Sequence, residues 1–343
     1  MPSVSDVETP RQPEVHPPNP PTSGWFQDVI RHDLPASLVV FLVALPLSLG
    51  IAIASGAPIM AGLIAAVVGG VVAGLVGGSP LQVSGPAAGL TVVVAELINE
   101  FGWQVTCAIT IAAGFLQILF GLSRVARAAL AISPMVVHAM LAGIGITIAL
   151  QQVHVLLGGD SKSTAWANLI HLPAQIGTAR LGDVFVGGVA IAILLLWTRL
   201  PAKVRRVPAL LAAVVVATVL SLALPLNVDR ITLGGSMFDA IGLPALPDGK
   251  WLAVATGVLT IALIASVQSL LSAVSVDKMH TGKRSDLNRE LIGQGTANVA
   301  SGLLGGLPIA GVIVRSATNV NAGGRTQASA VLHGLWILVF SAL

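Results

Sequence analysis

The stretch Gly77-Gly78-Ser79-Pro80-Leu81-Gln82-Val83-Ser84-Gly85-Pro86-Ala87-Ala88-Gly89 decides the fold when set beside Gly305-Gly306-Leu307-Pro308-Ile309-Ala310-Gly311. Both contain Gly-Gly and both contain Pro-x-Ala-Gly. Each leads into an apolar segment, residues 87–97 and 309–319, too short to cross a bilayer, which takes about 20 apolar residues. Irregular backbone at membrane depth is tolerated only inside protein or along a watery cavity. The two stretches therefore read as the starts of two half-helices. Pro86 stands about as far after Leu34 as Pro308 does after Leu252, so the broken elements occupy matching places. They are the third span counted from the first and the third counted from the eighth. A repeat unit of seven spans inverts its second copy, the inverted-topology architecture of many secondary transporters.

The composition agrees with a membrane setting. Of 343 residues, 55% are hydrophobic and 10% charged, with mean hydropathy +0.88. A soluble domain carries about 25% charged residues. A soluble globule and a disordered chain are both excluded, and the chain reads as an all-α polytopic membrane protein. One cysteine, Cys107, permits neither an intramolecular disulfide nor a thiolate metal cluster. The net charge of +3 fits basic loops beside a membrane. Nucleic-acid binding would call for basic residues interleaved with stacking aromatics, and Tyr is absent. Residues 1–24 are rich in proline, lack the apolar core of a signal peptide, and read as a disordered cytoplasmic tail.

About eleven spans follow, at 34–55, 59–76, 87–97, 105–122, 134–157, 181–198, 209–224, 252–276, 291–304, 309–319 and 328–343. With the N-terminus in the cytoplasm, thirteen of the 18 Lys and Arg fall inside, among them Arg124, Arg205, Arg206 and Arg289. Lys162, Arg180, Arg230 and Lys250 fall outside, and Arg315 remains within a span. This asymmetry supports a multi-pass protein of the inner (plasma) membrane with its N-terminus in the cytoplasm.

Two half-helices that start near mid-membrane point free N–H groups and half a positive charge each at a shared point. That arrangement makes an anion site without a basic side chain. Ala87, Ala88, Gly89, Ala310 and Gly311 are small enough to let a ligand approach, and Pro86 and Pro308 suit a helix start. Arg315 either adds positive potential to the site, or pairs with a carboxylate or snorkels to the interface. Gln268 and Ser272, one turn apart on the eighth span, either face the ligand or bridge packed helices. His138 and His154 read as structural groups, and Glu96 and Glu100 as interfacial carboxylates. Gly70 and Gly74 have the spacing of close helix packing. The Thr281-Gly282-Lys283-Arg284-Ser285 run lacks the first glycine of a phosphate loop. No catalytic constellation or metal cluster is visible, so the chain is not read as an enzyme.

Longer motifs carry a resemblance. Gln268-Ser269-Leu270-Leu271-Ser272-Ala273, Asp277-Lys278-Met279 and Asn288-Arg289-Glu290-Leu291-Ile292-Gly293-Gln294 through Asn298 resemble the signature of the SulP/SLC26 anion transporters. So do Gly305-Gly306-Leu307-Pro308, Arg315-Ser316-Ala317-Thr318-Asn319, Leu45-Pro46-Leu47-Ser48 and Ser84-Gly85-Pro86-Ala87. The likeness covers residues 34–343 and is strongest to actinobacterial members, some fused to carbonic anhydrase. It implies a UraA-like fold of two inverted seven-helix repeats. A core of residues 34–122 and 252–343 would hold the anion and slide, elevator-like, against a gate of residues 134–224. Carried over by motif, Ala87, Ala88 and Gly89 fall at the first half-helix N-terminus, and Ala310, Gly311 and Val312 at the second. Gln268 and Ser272 fall where sodium-coupled bicarbonate members have an acidic residue and a hydroxyl. Gln268 has no charge, which weakens the expectation of Na+ or H+ coupling, and no other cofactor is expected.

The chain ends inside its eleventh span, which reads as truncation before the remaining gate helices, and the chain alone is expected to transport poorly. The expected function is secondary active transport of a small inorganic anion, bicarbonate or sulfate. The alternatives are a nucleobase–proton symporter of the same fold and a non-transporting membrane fragment or scaffold. The expected partners are the anion, the lipid bilayer, a second copy in a homodimer and a functional link to carbonic anhydrase, with no nucleic acid.

Overall fold

The structure, a computed structural model, describes residues 24–126, 134–159, 165–201, 204, 207–226, 228 and 241–342. The proline-rich tail, loop cations Arg127, Lys162, Lys203, Arg205, Arg206 and Arg230, and the side chain of His138 lie outside the described residues. The elements in chain order are α1 (Leu34–Ala54), α2 (Ile59–Val76), β1 (Ser84–Pro86), α3 (Thr91–Phe101), α4 (Trp103–Leu122), α5 (Pro134–Leu156), α6 (Ala165–Gly177), α7 (Leu181–Leu196), α8 (Ala209–Ala223), α9 (Trp251–Asp277), α10 (Leu287–Leu303), β2 (Ile309–Gly311), α11 (Ile313–Asn321) and α12 (Ala328–Ala342). A helix stands in each of the eleven stretches expected to span.

Helical turns over residues 25–33 extend α1 toward the N-terminus, and one separate helix was not expected. α6 lies in a stretch read as a loop. Trp166, Leu169, Ile170 and Ile176 recur at helical spacing and are all exposed. The apolar run is too short to read as a span, but its face suits an interfacial helix lying along the bilayer surface.

The helices form two groups. α1, α2, α4, α9, α10 and α12 pack around the strand pair and the two short helices α3 and α11. Their shared core is built from small residues such as Ala61, Ala65, Ala66, Ala262, Ala265 and Ala297, with Leu63, Ile109 and Ile261. The helices α5 to α8 pack mainly on one another, and α7 buries no residue at all. They touch the first group through α5 on α3 and α8 on α1.

The most extensive packing joins α4 to α10. Gly114 on α4 meets Gly295 on α10, and one heptad to either side Gly121 packs on Asn288 and Ile292 of α10 and Gly302 on Cys107 and Ile111 of α4. A Cβ on Gly295 would lie 2.5 Å from the Gly114 carbonyl oxygen, and one on Gly114 2.6 Å from that of Gly295. Only glycine lets the two backbones approach this closely, the usual device where the hydrophobic effect cannot drive helices together. Gly70 and Gly74 of α2 pack against α12 in the same way, beside a π-turn at Gly69–Ala73.

Gly295→Ala should lower stability by about 1–3 kcal/mol, because the new methyl meets backbone that cannot yield. Gly50→Ala, on α1 with open space around it, should gain up to about 1 kcal/mol from helix propensity. Thermal unfolding of the purified chain in detergent separates the two, and equal melting temperatures would refute this account of the α4–α10 contact.

Candidate functional site

The two irregular stretches meet as a small antiparallel sheet. Ser84 pairs with Gly311, Gly85 with Ala310 and Pro86 with Ile309. Pro86 and Pro308 are therefore near neighbours. β1 leads into a tight helical turn at Ala88–Leu90 and then α3, while β2 leads through Val312 into α11. Because the strands run antiparallel, the two helices leave from opposite ends of the ladder. The ladder between them is three residues, roughly 7 Å, long.

This geometry corrects the expected helix starts. Pro86 closes β1 and Pro308 precedes β2, so neither is the first residue of a helix. The reason lies in the ladder, since proline donates no strand hydrogen bond and sits at a strand's end. Ala310 and Gly311 belong to β2, and their neighbours consume the local amides. Gly311 N–H donates to the Ser269 hydroxyl (3.0 Å) and Val312 N–H to the Val83 carbonyl (3.0 Å). The amides of Ala88 and Gly89 at one end, and of Ile313 and Val314 at the other, make no hydrogen bond to a described residue. Such first-turn groups have no partner within their own helix. Ala87 is buried and Ala88 exposed, and Val312 is half-buried.

Gln268 lies over the first of these ends. A Cβ on Gly89 would sit 2.7 Å from the Gln268 Oε1 atom, so glycine is what lets the amide approach the helix start. Gln268 Oε1 and Ser272 Oγ are buried without a hydrogen-bond partner among the described residues. Arg315 is fully buried behind the sheet. Its Nη2 donates to the Ser48 hydroxyl (3.0 Å), and its Nη1 lies against Gly85, where a side chain would not fit. Arg315 neither snorkels nor pairs with a described carboxylate. An uncancelled guanidinium and two helix N-termini thus bias the middle of the fold toward negative charge.

The residues that hold this arrangement escaped the sequence reading. They form one polar stripe on α10. Glu290 accepts from Gly78 N–H and Ser79 N–H (both 2.9 Å), Gln82 Nε2 (2.9 Å) and Gln294 Nε2 (2.7 Å). Gln294 Nε2 also donates to the Ser84 hydroxyl (2.6 Å). Asn298 treats β2 as a strand neighbour would: it accepts from Ile309 N–H (2.6 Å) and donates to the Ile309 carbonyl (2.9 Å). Its amide also donates to Gln117 on α4, which donates to Ser266 on α9. Ser301 donates to the Leu307 carbonyl (2.7 Å). Positions 290, 294, 298 and 301 follow the helical repeat, and that spacing inside an apolar run was the available signal.

Among the described residues no cluster of His, Cys, Asp or Glu could hold a metal ion. His154 is buried and hydrogen-bonded to the Leu150 carbonyl of its own helix. Glu100 pairs with Lys250 at the surface (3.2 Å). What the geometry offers is two clusters of amides, unpaired among the described residues, at the ends of one short ladder.

The model of the sulfate permease family matches residues 30–343. YvdB of Bacillus subtilis (strain 168), provisionally named a sulfate transporter, is 31% identical over 92% of this chain and 60% of its own length. The bicarbonate transporter BicA of Picosynechococcus is 29% identical over 90% of this chain and 57% of its own. The chain thus spans about 60% of the length of these relatives. Among solved structures, the transmembrane domain of a cyanobacterial BicA superposes with a TM-score of 0.81 at 29% identity, covering 92% of this chain and 83% of that one. The murine Solute Carrier 26 family member A9 anion transporter, at 16% identity and a TM-score of 0.77, shares the fold.

Glu290→Gln keeps the shape of the side chain but turns one acceptor oxygen into a donor that faces N–H groups. It should cost about 3 kcal/mol, the scale of hydrogen bonds to a charged group. Glu100→Gln removes an exposed ion pair and should cost at most about 1 kcal/mol. Comparable losses in thermal unfolding would refute the holding role of Glu290.

Proposed function

The chain belongs to the sulfate permease family, and from this premise we propose that it is a secondary transporter of a small inorganic anion, bicarbonate or sulfate. The observation that carries the reading is the pair of half-helix starts at the two ends of one strand ladder, with free amides at Ala88, Gly89, Ile313 and Val314. Backbone amides at a helix N-terminus bind oxyanions without a dedicated cation. Arg315 lends charge from behind the sheet, and Gln268 is placed to hydrogen-bond the ligand over Gly89. In this reading the helices around the ladder form the sliding core, and α5 to α8 belong to the gate. The relatives' names supply both candidate anions; the small apolar lining favours bicarbonate. The protein sits in the plasma membrane with its N-terminus inside, and a second copy completes a dimer.

Equilibrium binding of labelled bicarbonate and labelled sulfate to the purified chain tests the site. Each anion should compete with the other, and uracil with neither. Ala88→Leu crowds an exposed position at the first helix start and should weaken anion binding roughly tenfold, the value of one or two lost donor contacts. Competition by uracil alone, or binding indifferent to Ala88→Leu, would refute the reading.

Gln268 bears on coupling. A neutral amide provides no charge for a bound cation, so native binding should be independent of sodium. Gln268→Glu places a carboxylate one turn from the Ser272 hydroxyl and should make anion affinity rise with sodium. No sodium or pH dependence in that variant would count against Gln268 facing the ligand.

A further inference from the structure

The ends of α4 and α10 part at Gly121 and leave a cavity of about 640 Å3 beside the helix crossing. Gly121 is the contact itself, since a Cβ there would lie 2.7 Å from the Asn288 carbonyl oxygen. Leu122, Arg124, Asp286, Asn288, Arg289 and Ile292 line the space. Lys278, Lys283 and Arg284 are exposed on the turn between α9 and α10 that leads into the lining residue Asp286.

The polar side of this cavity is short of acceptors. Arg124 makes no side-chain hydrogen bond or ion pair with a described residue. Arg289 uses only Nε, which donates to the Val76 carbonyl (3.0 Å), and its two terminal nitrogens are left over. Asp286 Oδ1 accepts the N–H groups of Asn288 and Arg289 (both 3.1 Å) as the cap of α10, and its single negative charge stands against the two of opposite sign on Arg124 and Arg289. One end of the Asn288 amide is buried without a partner. An amide can turn to present its NH2 to an acceptor.

The other side is apolar. Phe115, Leu119 and Leu122 are 60%, 56% and 65% exposed and stand on one stripe of α4 that leads to the cavity. A ligand that matches both sides joins a multiply charged oxyanion to a long hydrocarbon tail. We infer that this cavity is a site for a phosphoryl group, held by Arg124 and Arg289. Guanidinium groups match phosphate oxygens in a bidentate way. Basic pockets between membrane helices on the cytoplasmic side suit anionic headgroups, and the stripe offers a seat for acyl chains. Free phosphate offers the same oxygens without the tail.

The whole chain, stripped of lipid in detergent, is titrated with phosphatidylglycerol, phosphatidylcholine or inorganic phosphate, and bound ligand is read by native mass spectrometry. Phosphatidylglycerol should bind best. Arg124→Gln and Arg289→Gln should each weaken it roughly fivefold, while Lys283→Gln, which removes equal charge from the turn before α10, leaves it nearly unchanged. Arg124→Lys keeps the charge and loses the fork, so its affinity should fall between native and Arg124→Gln at an unchanged melting temperature. Equal affinity for the two lipids with no phosphate binding overturns the site, as does an equal loss with Lys283→Gln. Inorganic phosphate that binds with the same sensitivity to both arginines, without preference for phosphatidylglycerol, assigns the site to a soluble phosphate and removes the lipid.

Discussion

A peptide group at the centre of a bilayer must find its hydrogen bonds inside the protein, and the whole fold answers to that requirement. Two stretches of chain near residues 77–87 and 305–312 leave the helical state where no water waits. Leaving one buried group unpaired costs about 1–3 kcal/mol, and here a dozen or so are at stake. The strand pair satisfies some of them. α10 satisfies more, through side chains that bond the backbone of Gly78, Ser79, Leu307 and Ile309, while Ser269 of α9 and Ser316 and Asn319 of α11 take Gly311, Val83 and Leu81. An adjoining face of the same helix carries the glycines that let α4 close in. One helix thus solves two problems on two faces.

The groups left unpaired are as informative as those that are satisfied. Backbone amides around Ser84–Pro86 and Ile309–Val312 are largely spent in the ladder and on Ser269 and Val83. Those at the first turns beyond it are not. Arg315 is buried with a hydroxyl for a partner and no described acid to cancel it. Potential of one sign therefore comes from Arg315 and from first-turn amides that bond no described residue. Gln268 adds an amide over Gly89 without adding charge. The electrostatics of the proposed anion site comes mainly from backbone and one distant cation. Such a design tolerates the small, apolar residues that line it.

Much of this was legible in the sequence. Long apolar runs fixed the span positions to within a few residues, and the paired Gly/Pro stretches located both broken helices. The three-residue strands were not legible, because so short a ladder has no periodicity and is set by the meeting of two stretches more than 200 residues apart. For that reason Pro86 and Pro308 were read as helix starts, and Ala310 and Gly311 as helix rather than strand. The polar stripe on α10 was visible in principle, at 290, 294, 298 and 301. Ser48 and Gly85 could not have been assigned to Arg315, since nothing local marks a hydroxyl or a missing Cβ as the neighbour of a guanidinium. α6 escaped because its apolar face is amphipathic and short.

The same bonds bear on how an anion could be carried. Each half-helix start is tied to the other by the strand ladder, and both stretches are tied to α10. Moving one N–H cluster relative to the other would tear hydrogen bonds with no water to replace them. The proposed site is therefore stiff in its own frame, and α4 is coupled to it through the glycine contact. The helices α5 to α8 share few contacts with this block, chiefly through α5 on α3 and α8 on α1. In the proposed cycle the compliant surface is that narrow seam, and the anion is carried with its binding groups intact rather than handed between them.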